Sequence, residues 1–502
     1  MDSATNYRDS VRLRRRVHRG ASRHVDSWSR ANPCSPIPSA LTVAVAIGAI
    51  VVDVNTQPLR LIGANITKVL GAYDHRLTFN VDDDFVIIYG PNGVGKTKFL
   101  EIIHAVTRLD ARTLSKLPFE TAQLDYSDGS TMLATIAHLH DDNLLPEKPQ
   151  VNFKLRRSPR KRAITWTFRG DDLERWLVEN TTWRPSEGEI WEDRADGEII
   201  NFSELESRYR GSSPHRNTLP PELEDFKIQT ASYLIETQRL RIENDRSSSI
   251  ARRRARLAYG GQNLTSSKIT EHAAKMRKLV NEAQTEHSRI TQQLDRTFPN
   301  RVLENAPSDD SIDSEIRNRY NDQNEFRSRL GRVASVALED ALSLPDRPLA
   351  SWELHLLSLY LDDADKKLAP FETLLQKIEL LEEIINSRLL NKRLQVTADE
   401  GLTVSGTIQE RFIDLDSLSS GEQHEIILMF DLLFNVPMGA LVMIDEPEIS
   451  LHVVWQLAFI PDVQRIAELS GFRFVVATHS PQIINDGWDR AVRLGPETAA
   501  FS

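Results

Sequence analysis

Gly90-Pro-Asn-Gly-Val-Gly-Lys-Thr97 is the stretch on which the reading of this chain turns. It matches GxxxxGK[ST] at every fixed position, and its surroundings agree. The apolar run Asp84-Phe-Val-Ile-Ile-Tyr89 before it reads as a strand. From Lys96 onward, Phe99, Leu100, Ile103, Val106 and Leu109 recur at helical spacing. In a strand–loop–helix of this kind the glycines let backbone N–H groups curl around phosphate oxygens at a helix N-terminus. Lys96 neutralises the β/γ charge, and the Thr97 hydroxyl is a Mg²⁺ ligand. The candidate nucleotide-binding residues are therefore Gly90, Pro91, Asn92, Gly93, Val94, Gly95, Lys96, Thr97 and Lys98.

Three downstream stretches complete the pattern. Leu441-Val-Met-Ile-Asp-Glu446 is an apolar strand that delivers two carboxylates where a parallel strand ends, the usual ligand edge of such sheets. Asp445 is placed to hold Mg²⁺, usually through water, and Glu446 to polarise an attacking water. Leu418-Ser-Ser-Gly-Glu-Gln423 opens an apolar helix (Ile426, Ile427, Met429, Phe430, Leu432, Leu433), and Ser419, Ser420, Gly421 and the helix N-terminus make an anion site, with Glu422 beside them as a further candidate nucleotide-binding residue. Its own subunit has no obvious need of that site. Phe474-Val-Val-Ala-Thr-His-Ser480 is a second apolar strand, ending at His479.

The Leu418–Gln423 string resembles the ABC signature motif, lying far downstream of the phosphate loop and shortly before an Asp-Glu strand. The resemblance implies an α/β fold, a P-loop NTPase of the ABC ATPase type, with ATP and Mg²⁺ as ligands. It implies a homodimer or higher assembly in which each signature reaches the γ-phosphate held by the partner's phosphate loop. Asp445-Glu-Pro-Glu-Ile-Ser-Leu-His452 falls where the family's D-loop lies. His479 resembles the H-switch residue that contacts the γ-phosphate. Gln238, in Glu236-Thr-Gln-Arg-Leu240, is the candidate Q-loop residue for Mg²⁺ and the attacking water, with Gln229 as a rival.

Transporter ATPases usually carry Ser-Ala-Leu-Asp at the D-loop and a compact body, whereas this chain has Ile449-Ser-Leu-His452 and a helical insertion. Its phrases resemble the soluble SMC/RecF/OLD-like branch of AAA family ATPases. The overcoming-lysogenisation-defect (OLD) family joins a TOPRIM nuclease to the ATPase. Only about twenty residues follow His479, too few for such a domain, so the chain resembles the ATPase subunit of two-gene phage-defence systems such as Septu and PARIS. That resemblance implies a switch subunit for a separate nuclease-type effector, cytoplasmic, with a RecF-like repair ATPase as the alternative and a transporter subunit as a weaker one.

The rest of the chain sets bounds on these expectations. With 502 residues, there is room for an ATPase body (56–110, 225–245 and 394–502) carrying an inserted mixed lobe (111–224) and a short helical or coiled-coil arm (246–393). Strand-like pieces in the lobe are Thr131–Leu139, Val151–Leu155 and Ala163–Phe168, and a strand Lys227–Leu234 follows it. In the arm, Ile269, Ala273, Met276, Val280, Ala283, His287, Ile290 and Leu294 alternate by four and three, a coiled-coil seam that Thr297-Phe-Pro-Asn300 should end after roughly 40–50 Å. A net charge of −10 argues against a protein coated in positive potential, so DNA, if bound, would meet local runs such as Arg156–Arg162 or Arg252–Arg256. One cysteine, Cys34, excludes an internal disulfide framework. No run of about 20 apolar residues demands a membrane. Residues 1–55, an arginine-rich stretch and then an apolar run, read as a basic tail and an accessory segment.

Overall fold

The computed structural model describes residues 58–79, 84–138, 149–157, 162–168, 172–186, 190–209, 219–236, 267–304, 312–334, 343–408, 411–449 and 451–496. Its centre is a five-stranded sheet in the order β11 (Ser232–Glu236), β15 (Leu441–Asp445), β16 (Arg473–Ala477), β3 (Phe85–Tyr89), β17 (Ala491–Arg493), and every neighbouring pair is parallel. Parallel sheets are covered on both faces, which explains why the three inner strands read as nearly continuous apolar runs (Phe85–Ile88, Leu441–Ile444, Phe474–Ala477) rather than alternating with polar residues. The two faces enter two cores. Phe85, Ile87, Val442, Ile444, Phe474 and Val476 join one, while Val86, Ile88, Leu441, Met443, Val475 and Ala477 join the other.

The second core is closed by α1 (Lys96–Thr107) and an antiparallel sheet in the order β2 (Tyr73–Thr78), β1 (Leu61–Val69), β4 (Thr121–Tyr126), β5 (Thr131–His138), β6 (Pro149–Arg156), β7 (Ile164–Phe168). This sheet runs across position 110. β1 pairs with β4 from Gly63↔Asp125 to Thr67↔Thr121, so β4 to β7 share one sheet and one core with the first strands of the ATPase body, where the sequence pattern placed a boundary. Only the later part of the expected lobe has its own core. Trp183, Trp191, Phe202, Leu177 and Leu205 pack among the small sheet β8 (Trp183–Pro185), β9 (Ile190–Asp193), β10 (Ile199–Asn201) and the helices α3 (Asp172–Asn180) and α4 (Phe202–Tyr209).

The strand expected from Lys227 begins only at Ser232. Residues Pro221–Gln229 form helix α5 instead, with proline in the first turn, Glu222 and Glu224 beside the N-terminal dipole, and Leu223 and Phe226 buried. Gln229 therefore ends a helix before β11 starts, at the opposite end of that strand from Glu236, whose register partner is Asp445. Gln238 lies outside the described residues.

The first core is covered by α9 (Ser420–Phe430), which continues into a π-helical turn (Asp431–Asn435), by α10 (Val453–Ser470), and by three long helices. These are α6 (Lys268–Glu304), α7 (Asp313–Ala334) and α8 (Ser351–Asn386). Ile269, Ala273, Met276, Val280 and Ala283 of the expected seam are buried, in a core that also holds Phe371, Leu374, Leu375 and Ile378 of α8. α6 does not stop at Thr297-Phe-Pro-Asn300 but runs through Pro299 to Glu304, about 55 Å. Arg301 in that last stretch pairs with Asp363 of α8, a tertiary contact, and donates across the proline to the Leu294 carbonyl of its own helix at 3.0 Å; together they hold the end of the helix past the proline. A three-stranded antiparallel sheet, β12 (Lys392–Thr397), β13 (Gly401–Gly406) and β14 (Phe412–Ile413), leads from the arm to α9.

His104 on α1 ties that helix to β11 by a 2.9 Å hydrogen bond to the Ser232 hydroxyl. Burial, then the Arg108 charge, lowers its pKa from 6.5 to about 4. The folded state therefore binds this proton less readily than the unfolded chain does. The contribution to stability is complete above pH 6.5 and is lost as pH falls toward 4. Chemical unfolding of the nucleotide-free protein should show His104→Gln relieving about 2 kcal/mol of the stability lost between pH 7 and pH 5.

Candidate nucleotide site

β3 leads directly into the phosphate loop, and α1 leaves it at Lys96. Two of its glycines are dictated by close approach. A side chain at Gly90 would meet the Leu494 carbonyl oxygen at 2.3 Å, and one at Gly95, which has φ 88°, would meet Val69 Cγ1 at 2.8 Å. The loop is thus clamped between the segment after β17 and the end of β1. Its Lys96 ammonium donates to the carbonyl oxygens of Gly90 at 3.1 Å and Pro91 at 3.2 Å.

β15 and β16 end beside this loop because β3 and β15 flank β16 in parallel register. Thr97 Oγ1 donates to Asp445 Oδ2 at 2.7 Å. Lys96 Nζ reaches His479 Nε2 at 2.5 Å, so the imidazole accepts and is neutral. His479 Nε2 is 3.6 Å from Glu446 Oε1. Glu446 has φ 48°, a left-handed turn immediately after the strand that sends its side chain off the strand's course. Lys96, Thr97, Asp445, Glu446 and His479, separated by up to 383 positions, thus share one strand-end edge.

The electrostatics of that edge call for a ligand. Burial pushes the Asp445 carboxyl up to about 6, assisted by Glu446, Glu236 and Glu101 and opposed by the Thr97 hydrogen bond. Burial lowers Lys96 against the pull of Glu446, Asp445 and Glu448. Burial and the Lys96 charge also lower His479. A phosphate anion would relieve the two bases and a divalent cation would relieve the acid. Thr97 and Asp445 fit Mg²⁺, since both offer hard oxygens and such sites take one or two carboxylates together with substrate phosphates. Among the described residues no group of three or more His, Cys, Asp or Glu side chains could hold a metal by itself.

The signature residues are arranged differently. Ser419 caps α9, and its hydroxyl and backbone N–H meet the Glu422 carboxylate at 2.8 and 2.9 Å in a capping box. Glu422 also pairs with Lys392 of β12 at 2.8 Å. Its carboxylate is therefore committed within its own subunit. Ser419 and Ser420 are exposed, and Gly421 is half-buried.

A family model described as AAA_15, AAA ATPase domain, matches residues 70–484, most of the chain. The chain belongs to this AAA ATPase family. No curated protein sequence matches it. Among solved structures, the AAA ATPase is similar at 13% identity to the Smc head domain with an extended coiled coil bound to the C-terminal domain of ScpA, derived from Pyrococcus furiosus (85% of this chain, 91% of that one, TM-score 0.31). It is also similar to the SmcHead bound to the C-winged helix domain of ScpA (11% identity, 87% and 95% covered, TM-score 0.33). A third is the SMC head domain from Thermotoga maritima (10% identity, 86% and 92% covered, TM-score 0.28). Among the described residues of the AAA ATPase no helix is long and apolar enough to cross a membrane.

One residue of the site escaped the motif reading. Glu448, in the turn after β15, accepts from the Thr478 hydroxyl at 2.9 Å and from the His479 backbone N–H at 2.6 Å. Gln456 of α10 takes the Ser480 hydroxyl at 2.7 Å. The strand end carrying Asp445 and Glu446 is thereby tied to the loop carrying His479. The only sequence signal was a second acid two residues after Glu446, which spacing alone does not distinguish from a solvated carboxylate. In Glu448→Gln the amide retains one accepting oxygen, and one tie is lost. Steady-state phosphate release should show kcat falling about tenfold with KM for ATP nearly unchanged, since a displaced reacting group costs rate rather than binding.

Proposed function

We propose that this AAA ATPase binds ATP with Mg²⁺, closes as a homodimer on two nucleotides, hydrolyses them and reopens. The observation that carries the reading is the convergence of Lys96, Thr97, Asp445, Glu446 and His479, while the exposed Ser419 and Ser420 and the half-buried Gly421 offer a helix N-terminus to a second copy. The loop N–H groups and Lys96 hold the phosphates. Mg²⁺, when bound by Thr97 and Asp445, would neutralise developing charge on the β- and γ-oxygens. Glu446 orients and deprotonates the attacking water, and neutral His479 meets the γ-phosphate and registers its departure. Gln238, lying two positions beyond Glu236, would add a contact to the metal and the water.

At the level of biology we infer a cytoplasmic switch subunit for a separate nuclease-type effector in phage defence. Support comes from the Asp445–His452 and Ala477–Gln482 phrases and their likeness to the OLD branch. Affinity purification from the native host with Mg²⁺ and ATP, followed by mass spectrometry, tests it. A soluble TOPRIM- or HNH-type protein retained with the ATPase is the expected outcome. Recovery of chromosomal DNA and repair factors instead would replace this reading with a RecF-like repair ATPase, for which the exposed Arg156 and Arg162 are candidate phosphate contacts. Arg252–Arg256 lie outside the described residues.

A further inference from the structure

The phosphate loop rests on a histidine that the steps above do not use. Strand β2 alternates in burial, and His75 and Leu77 take its two core-facing positions, with His75 only 2% exposed. The His75 ring lies parallel to Tyr73 at 6.0 Å and edge-on to Phe99 of α1 at 5.6 Å. Its Nε2 is 2.7 Å from the carbonyl oxygen of Val94, in the middle of the phosphate loop. A carbonyl oxygen only accepts, so Nε2 carries a proton and donates it.

The position of that carbonyl matters because of its neighbours. Gly93 and Gly95 flank Val94 with φ of 81° and 88°, and glycine tolerates rotation of an adjoining peptide plane at little steric cost. In a trans peptide the C=O of Val94 and the N–H of Gly95 point in opposite directions. Drawing the carbonyl toward the buried ring leaves the Gly95 N–H on the other side of the loop. Rotation of the same peptide would present a carbonyl dipole to a phosphate in place of a donor.

We propose that His75 is a positioning residue for the phosphate loop, holding the Val94 carbonyl inward so that the Gly95 N–H faces the β-phosphate of a nucleoside di- or triphosphate. The inference rests on the ATP reading above. A purely structural histidine would affect folding without distinguishing substitutions by their ability to donate. The test therefore compares His75→Gln, which keeps an N–H donor, with His75→Met, of similar length and without one, in titration calorimetry with ADP and with ATP. Melting temperatures of the nucleotide-free proteins are measured in parallel, and His75→Leu replaces the methionine variant if that one unfolds. The donor-less variant should bind ADP and ATP about tenfold more weakly than His75→Gln, the scale of one hydrogen bond, at comparable melting temperature. Equal affinities of the two variants overturn the proposal and leave the ATP reading intact. A wild-type chain that binds neither nucleotide removes the ATP reading, and this inference with it.

Discussion

Lys96→Ala should leave a folded protein with no measurable ATP binding, a loss of about a hundredfold or more in affinity. Lys96 is buried, and its ammonium is held by two loop carbonyls and the His479 ring, so it is already directed at the position where phosphate oxygens must lie. Charged hydrogen bonds of this kind contribute about 1.5–3 kcal/mol each, and the lysine can form more than one with the β- and γ-oxygens. Stability should change much less than affinity. Burial disfavours the charged lysine in the absence of nucleotide, so its removal also removes a desolvation cost. Calorimetric titration with ATP and a thermal melt separate the two quantities. Retained affinity in the alanine variant would show that the loop is not the nucleotide site.

The second large effect is expected in Glu446→Gln, which should bind ATP at least as well as the wild type while turnover falls about a hundredfold to a thousandfold. Glutamine preserves shape, and the left-handed backbone at position 446 is held by the residue's own N–H donating to the Ala477 carbonyl at 2.8 Å. What disappears is the carboxylate that can take a proton from water, together with one negative charge near the incoming phosphates. A closed dimer should then accumulate with ATP and persist through size-exclusion chromatography, whereas the wild type returns to the open form. Unchanged phosphate release would remove Glu446 from its assigned role. Reduced release without dimer accumulation would instead separate the chemistry from the closure.

The two predictions differ in how directly the sequence supports them. The role of Lys96 follows from local pattern, since GxxxxGK[ST] between an apolar strand and a helix leaves few conformations other than a phosphate cradle. Glu446 relies on a long-range event, the parallel pairing that sets β15 beside β16 and β16 beside β3. Asp-Glu after an apolar run does not by itself state what lies next to it. Glu448 and His75 were not legible at all, because each acts through a backbone atom of a segment brought near only by folding, Glu448 on the His479 N–H and His75 on the Val94 carbonyl.

By itself, the sequence determined the elements whose information is local. These are the phosphate loop and its helix, the apolar strands of a parallel sheet, the helix that opens at Ser419 and the heptad-like face of α6, each written in a motif or a periodicity along a single element. The tertiary structure alone decided the continuous antiparallel sheet across position 110, the extension of a helix to Gln229 over the first three residues of the strand expected from Lys227, and the passage of α6 through Pro299. In the sheet and in α6 the deciding energy comes from partners distant in sequence: β1 pairing with β4, and Asp363 anchoring Arg301. In α5 the burial of Leu223 and Phe226 holds Lys227–Gln229 in the helix against a strand-like local pattern. Packing and hydrogen bonding of that kind override propensities worth only tenths of a kcal/mol to about 1 kcal/mol per residue.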